Sequence, residues 1–248
     1  MLGEQPLAGR CVLITGAARR LGAAMARALH GAGANIVIHH RASADAAFAL
    51  MAELNARRSG SAHTVAADLL NVNALPELVA SAVACCGRLD VLINNASTFY
   101  PTPVGEITLA QFDDLIGTNL RAPVFLAQAA APALRASQGL IINMVDIHGQ
   151  RPLKAHPVYS SAKAGLLMLT RALARDLGPA IRVNGIAPGP VMWPEQPMDA
   201  ALQTEIIGKT ALKRNGSAAD VAQTALFLAA HAPYITGQVI AVDGGRSI

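Results

Sequence analysis

Two rhythms of apolar residues alternate along this chain. Short β-rich runs near Cys11–Thr15, Asn35–His39, Ala62–Ala67, Val91–Asn94, Leu140–Val145, Arg182–Ile186 and Val239–Val242 predict strands. The central runs are continuously apolar, as strands covered on both faces must be. Between them, amphipathic segments at about 21–32, 44–58, 73–86, 109–136, 158–177 and 217–230 predict helices. Pro123 and Pro132 lie inside the 109–136 segment and predict a bend or break there.

Seven strands and six helices in strict alternation give an α/β fold, a parallel sheet with crossover helices on both faces. The expected arrangement is a single doubly wound, Rossmann-type domain over residues 1–248, without internal repeat or linker. One irregular insertion, 188–214, follows a strand's carboxyl end and holds the only tryptophan, Trp193. Ligands of open α/β sheets bind at that end, so the insertion is read as a substrate loop or lid.

Composition narrows the partners. With 52% hydrophobic and 15% charged residues, the chain describes a well-buried globule. The net charge of +4 comes mainly from scattered arginines without a basic cluster, which argues against nucleic acid or a membrane surface and fits an anionic small ligand. No apolar run approaches the roughly 18 residues that span a bilayer, and residues 1–15 lack a secretory signal pattern. Three cysteines, two of them adjacent at Cys85 and Cys86, make no disulfide framework, and Cys11 reads as a core strand residue. A reducing, cytoplasmic setting is expected. His148 and His156 show no metal-ligand spacing and read as loop residues.

The first predicted strand runs directly into Thr15, Gly16, Ala17, Ala18, Arg19, Arg20, Leu21 and Gly22, and then a helix. A turn of small residues at that junction lets backbone amides and the helix N-terminus meet a pyrophosphate. The end of the second strand then selects the cofactor. An acid there would bind the ribose hydroxyl of NAD, but the chain reads His39, His40, Arg41, Ala42, Ser43, with no acid before Asp45. Arg41 offers a fork of donors for a 2′-phosphate, with His40 and Ser43 beside it, and NADP(H) is the expected cofactor. Arg20 either meets the pyrophosphate or substrate, or is a solvated residue at a helix start.

Tyr159 and Lys163 stand four apart in a predicted helix and share a face. An ammonium near a phenol favours the phenolate, so Lys163 is expected to lower the pKa of Tyr159 toward a value useful for proton transfer.

These features, with Asn94-Asn95-Ala96, Asn119, Tyr159-Ser160-Ser161-Ala162-Lys163, Pro188-Gly189 and Asp243-Gly244-Gly245, make the chain resemble the short-chain dehydrogenase/reductase family over nearly its whole length. Within that family it is most similar to the pteridine reductases through Arg20, the run Asn95 to Pro101, and Asp146 thirteen residues before Tyr159. It departs from them after Pro188-Gly189, where Pro190, Val191 and Met192 stand in place of a serine. The resemblance implies NADPH-dependent reduction of a pterin or folate, with Tyr159, Lys163, Asn119 and Asp146 catalytic. Asn119 would hold a backbone kink and a proton-relaying water. Gly16, Arg19, Arg20, Leu21, Gly22, Asp68, Leu69, Asn95, Ala96, Pro188 and Gly189 would meet the cofactor, with Asp68 and Leu69 beside the adenine. Ser97 and Phe99 would meet the substrate, Phe99 holding it against the nicotinamide, and helices 109–136 and 158–177 would build a homotetramer. An ionised Asp146 accepts hydrogen bonds and suits a pterin better than a ketone's developing oxyanion, although aspartate also caps turns. A carbonyl reductase acting on a 3-oxoacyl thioester or other ketone shares most of these motifs. A non-catalytic NADP(H) sensor has no need of the Tyr159, Lys163 and Asn119 set.

Overall fold

In the computed structural model, which describes residues 5–193 and 199–248, seven strands form one sheet. They are β1 (Cys11–Ile14), β2 (Asn35–His40), β3 (Ala62–Ala66), β4 (Val91–Asn94), β5 (Leu140–Met144), β6 (Arg182–Pro188) and β7 (Val239–Val242). All are parallel, in the order β3-β2-β1-β4-β5-β6-β7. This is the doubly wound Rossmann-type architecture expected from the alternating pattern. The helices are α1 (Arg20–Gly31), α2 (Ala44–Arg57), α3 (Leu75–Cys86), α4 (Leu109–Ile116), α5 (Ala122–Ser137), α6 (Pro157–Leu177), α7 (Ala200–Gly208) and α8 (Ala218–Ala230).

Strand pleating divides the core. Val12 and Ile14 of β1, Val91 and Ile93 of β4, and Leu140 and Ile142 of β5 pack with α1, α2 and α8. The intervening Cys11, Leu13, Leu92 and Ile141 pack with α3 and α5 on the other face. Successive side chains of a strand point to opposite faces, so two covered faces require the unbroken apolar runs seen in the sequence.

Two expectations about helices need correction. The 109–136 segment breaks only at a π-helical turn, Gly117–Arg121, just before Pro123 in the first turn of α5. There a missing N–H costs little. Pro132 lies inside α5 without ending it, because Ala130, Ala131 and Leu134 around it are buried against the sheet. The 188–214 insertion is not wholly irregular either, since α7 lies within it; residues 194–198 fall outside the described part.

The chain runs from β1 outward to β2 and β3, then crosses to β4 on the other side of β1. The loops leaving β1 and β4 therefore diverge at one point, opening a crevice at the strands' carboxyl ends.

Candidate active site

Backbone and side-chain bonds fix the walls of that crevice. Thr15 Oγ1 accepts from the backbone N–H of Asn95 (2.9 Å) and Ala96 (3.0 Å). Asn95 Nδ2 donates back to the carbonyls of Thr15 (2.8 Å) and Gly16 (3.1 Å), so this side chain shapes the glycine turn. A Cβ on Gly22 would lie 2.6 Å from the Gly16 carbonyl oxygen and 2.8 Å from Asn95 Nδ2. Only a residue without a side chain lets α1 start so close to the turn. No side chain caps the N-terminus of α1 at Arg19, which leaves first-turn amides for an anion.

The resulting cavity, about 500 Å³, is lined by Gly16, Arg19, Arg20, Leu21, Gly22, His40, Arg41, Ser43, Asp68, Leu69, Asn95, Ala96 and Ser97, all expected site residues. Pro188 and Gly189 do not line it. Gly189 instead lies where a Cβ would come 2.5 Å from Asp243 Cβ, at the end of β7.

The charge of the cavity suits a phosphorylated ligand. Among the described residues, Arg19, Arg20 and Arg41 form no ion pair. Arg19 donates to Ser43 Oγ at 2.8 Å, joining the glycine loop to the segment that carries Arg41. His40 is buried, and its Nδ1 has no hydrogen-bond partner among the described residues. A buried polar atom without a partner is costly, and a ligand donor or acceptor in the cavity removes the cost. Arg20 enters α1 with φ +53° and reaches the Trp193 carbonyl at 3.1 Å. A left-handed backbone suits glycine better than a long side chain, so Arg20 is held there at a cost.

His39 was not anticipated. Its Nδ1 accepts from Gly16 N–H at 3.1 Å, so Nε2 carries the proton donated to the Ala67 carbonyl at 3.1 Å. Burial pushes its pKa down to about 4, keeping the ring neutral while it ties the glycine turn to the end of β3. Nothing local in the sequence separates this histidine from its neighbour.

The groups expected from sequence to be catalytic cluster where α6 passes the ends of β4 and β5. Hydrogen bonds from Asn94 Nδ2 to Asn143 Oδ1 (2.8 Å) and from Asn143 Nδ2 to Thr170 Oγ1 (2.9 Å) fasten both strands to α6. Tyr159 and Lys163 face inward from this helix, both buried. Tyr159 Oη donates to Asp146 Oδ2 at 2.8 Å. Asp146 Oδ1 accepts from His148 N–H at 2.8 Å, so the carboxylate caps a short turn and holds the phenol together. Lys163 Nζ donates to the Met144 carbonyl at 2.8 Å and sits 5.6 Å from the Tyr159 ring centre. Burial lowers its pKa to about 8.

Tyr159 moves opposite to expectation. Burial first, then the adjacent Asp146 carboxylate, push its phenol well above the usual range, while Ser97 acts weakly the other way. Lys163 is spent on the Met144 carbonyl and does not offset the desolvation.

Asn119 sits buried in the π-helical turn. Its Nδ2 donates to the carbonyls of Leu115 (2.9 Å) and Thr98 (3.0 Å), and its Oδ1 accepts from Ser97 Oγ at 2.6 Å. The side chain thus fastens the irregular turn to the loop after β4. Phe99, about half exposed, meets the Tyr159 ring edge-on at 4.8 Å. His156, read from sequence as a loop residue, stacks on Phe99 at 4.8 Å with 12° between the planes. It stands just before α6, three residues ahead of Tyr159, and that nearness in sequence was the available signal.

Residues 16–247 match the family model described as Enoyl-(Acyl carrier protein) reductase. The chain is 40% identical to Pteridine reductase 1 of Leishmania tarentolae, over 95% of this chain and 96% of that one. It is 33% identical to the 3-oxoacyl-[acyl-carrier-protein] reductase of Staphylococcus epidermidis, over 95% and 98%. Among solved structures it is similar to a short-chain dehydrogenase/reductase double mutant of Serratia marcescens (TM-score 0.92, 32% identity, 98% of this chain and 100% of that one). It is equally similar to a blue fluorescent protein from a metagenomic library in complex with NADPH (TM-score 0.92, 34% identity, 98% and 100%).

Proposed function

The chain belongs to the short-chain dehydrogenase/reductase family, and on that premise we propose that it reduces a dihydropterin or dihydrofolate to the tetrahydro form. It is an NAD(P)-dependent oxidoreductase, and its cofactor is NADP(H). Arg41, Arg19, His40 and Ser43 would hold the 2′-phosphate, the α1 N-terminus the pyrophosphate, and Asp68 and Leu69 the adenine side. When bound, NADPH supplies the hydride.

The residues of the chain supply the proton and the orientation. Tyr159 Oη keeps its proton across neutral pH, because burial and Asp146 both oppose the phenolate. A protonated phenol is the form an acid needs for reduction. Lys163 is fixed by the Met144 carbonyl, and Asn119 by Ser97 and Leu115, so neither side chain is free to turn away.

One observation carries the substrate reading: the Asp146 carboxylate at 2.8 Å from Tyr159 Oη. An ionised carboxylate accepts from ring N–H and amino groups, which a pterin offers. The same carboxylate repels the negative charge that develops on a ketone oxygen. The likeness to 3-oxoacyl-[acyl-carrier-protein] reductase supports the second reading, reduction of a 3-oxoacyl thioester.

The test follows NADPH oxidation with dihydrobiopterin, dihydrofolate and a 3-oxoacyl thioester, using wild type and Asp146→Ser. The variant is expected to lose at least about tenfold in kcat/KM for pterins, about 1.4 kcal/mol, and to keep or gain thioester reduction. Wild type that reduces the thioester and no pterin refutes the substrate reading.

We also propose a homotetramer packed through α4, α5 and α6, and a cytoplasmic enzyme. Supporting the first, Phe112, Phe125 and Met168 on these helices are exposed. The three free cysteines support the second.

A further inference from the structure

Phe99 meets Tyr159 because something holds it there, and the chain builds that support with unusual care. Thr102 N–H donates to the Ala155 carbonyl at 2.7 Å, stapling the loop that carries Phe99 to the loop before α6. Ala155 has φ +61°, a left-handed conformation that non-glycine residues adopt only when the surroundings enforce it. The next residue is His156, whose Nδ1 donates to the Lys154 carbonyl at 2.8 Å, because a carbonyl only accepts. That bond fixes the plane of the imidazole. The ring lies 4.8 Å from Phe99 at 12°, and Phe99 in turn meets Tyr159 at 4.8 Å and 78°. Three rings therefore follow one another in contact, ending at the phenol.

We propose that His156 is a positioning residue that holds Phe99 against Tyr159 and thereby sets the affinity for a flat substrate. The inference rests on the reading of the site as one for a flat heteroaromatic ring. Phe99 is about half exposed, so without a second ring against it the side chain has open space to turn into. A stacked imidazole removes that freedom before substrate arrives, and preorganisation of a binding wall appears in KM.

The experiment compares wild type, His156→Ala and His156→Phe, measuring kcat and KM on the best substrate among dihydrobiopterin, dihydrofolate and a 3-oxoacyl thioester. NADPH affinity is measured without substrate, and the His156 ring resonances are followed by NMR in wild type and Phe99→Leu. His156→Ala should raise KM for the pterin about three- to tenfold, the range of one aromatic pair, with a much smaller effect on kcat and NADPH affinity. His156→Phe, which keeps a flat ring, should recover most of that loss. The His156 resonances should carry a ring-current shift that Phe99→Leu abolishes. An unmoved KM in His156→Ala, a parallel fall of kcat and NADPH affinity, or resonances indifferent to Phe99→Leu overturns the inference. Should wild type reduce only the thioester, the pterin reading fails by itself. The positioning of Phe99 is then judged on the His156 resonances, where a ring-current shift abolished by Phe99→Leu sustains it and indifferent resonances overturn it.

Discussion

At the scale of single residues, protonation at the site is governed by burial more than by the charged neighbour that sequence spacing suggested. Tyr159 and Lys163 are four apart on α6, and spacing alone predicts an ammonium favouring a phenolate. Packing reverses the balance: desolvation raises the phenol and lowers the amine to about 8. The first effect keeps Tyr159 in its acid form across neutral pH. The sign of the pH dependence follows. Lys163 is an ammonium below about pH 8 and loses its charge as pH rises through that value, while Tyr159 remains protonated. We therefore expect kcat/KM for reduction to hold on the acid side of about pH 8 and to decline on the alkaline side. Lys163→Arg, if it binds NADPH, should move the decline to higher pH. A wild-type profile that stays flat from about pH 6 to about pH 10 excludes Lys163 as the titrating group.

Among the elements, α1 carries the clearest compromise. It starts at Arg20, whose φ of +53° places a long side chain in a conformation suited to glycine. Such a residue costs about 1 kcal/mol or more. The return is a guanidinium that lines the cavity and bonds to the Trp193 carbonyl. Arg20→Gly should raise the thermal midpoint by about 2–4 °C for a chain of this size, while weakening NADPH or substrate binding. Differential scanning calorimetry and cofactor titration measure the two effects. A variant that is less stable and binds both ligands normally contradicts this account. The π-helical turn between α4 and α5 shows a related division of labour. Two prolines in the segment signalled trouble, yet the break falls where Asn119 bonds to Leu115, Thr98 and Ser97, and Pro132 is absorbed by packing. Proline marks where a helix loses an N–H; whether it ends there depends on what buries the flanking turns.

For the whole molecule, Phe112, Phe125 and Met168 are left exposed on α4, α5 and α6, in a chain that buries most of its other large apolar groups. If these helices pack between copies, Phe125→Glu and Met168→Glu should shift the assembly toward dimers or monomers in sedimentation velocity runs. A monomeric wild type at micromolar concentration rejects the proposed tetramer.

The central strands were legible in the sequence because burial on both faces demands runs such as Val12 to Ile14 and Ile141 to Ile142, whatever the rest of the chain does. The glycine turn, the basic end of β2 and the Tyr159–Lys163 pair were legible too, since each depends on a few neighbouring positions in one loop or helix. Tertiary structure alone decided what depends on distant segments meeting. It turned His39 toward Gly16 and Ala67, brought Trp193 to Arg20, and stacked His156 on Phe99. It also set the direction of each pKa, because desolvation is a property of everything packed around a group and no local spacing contains it.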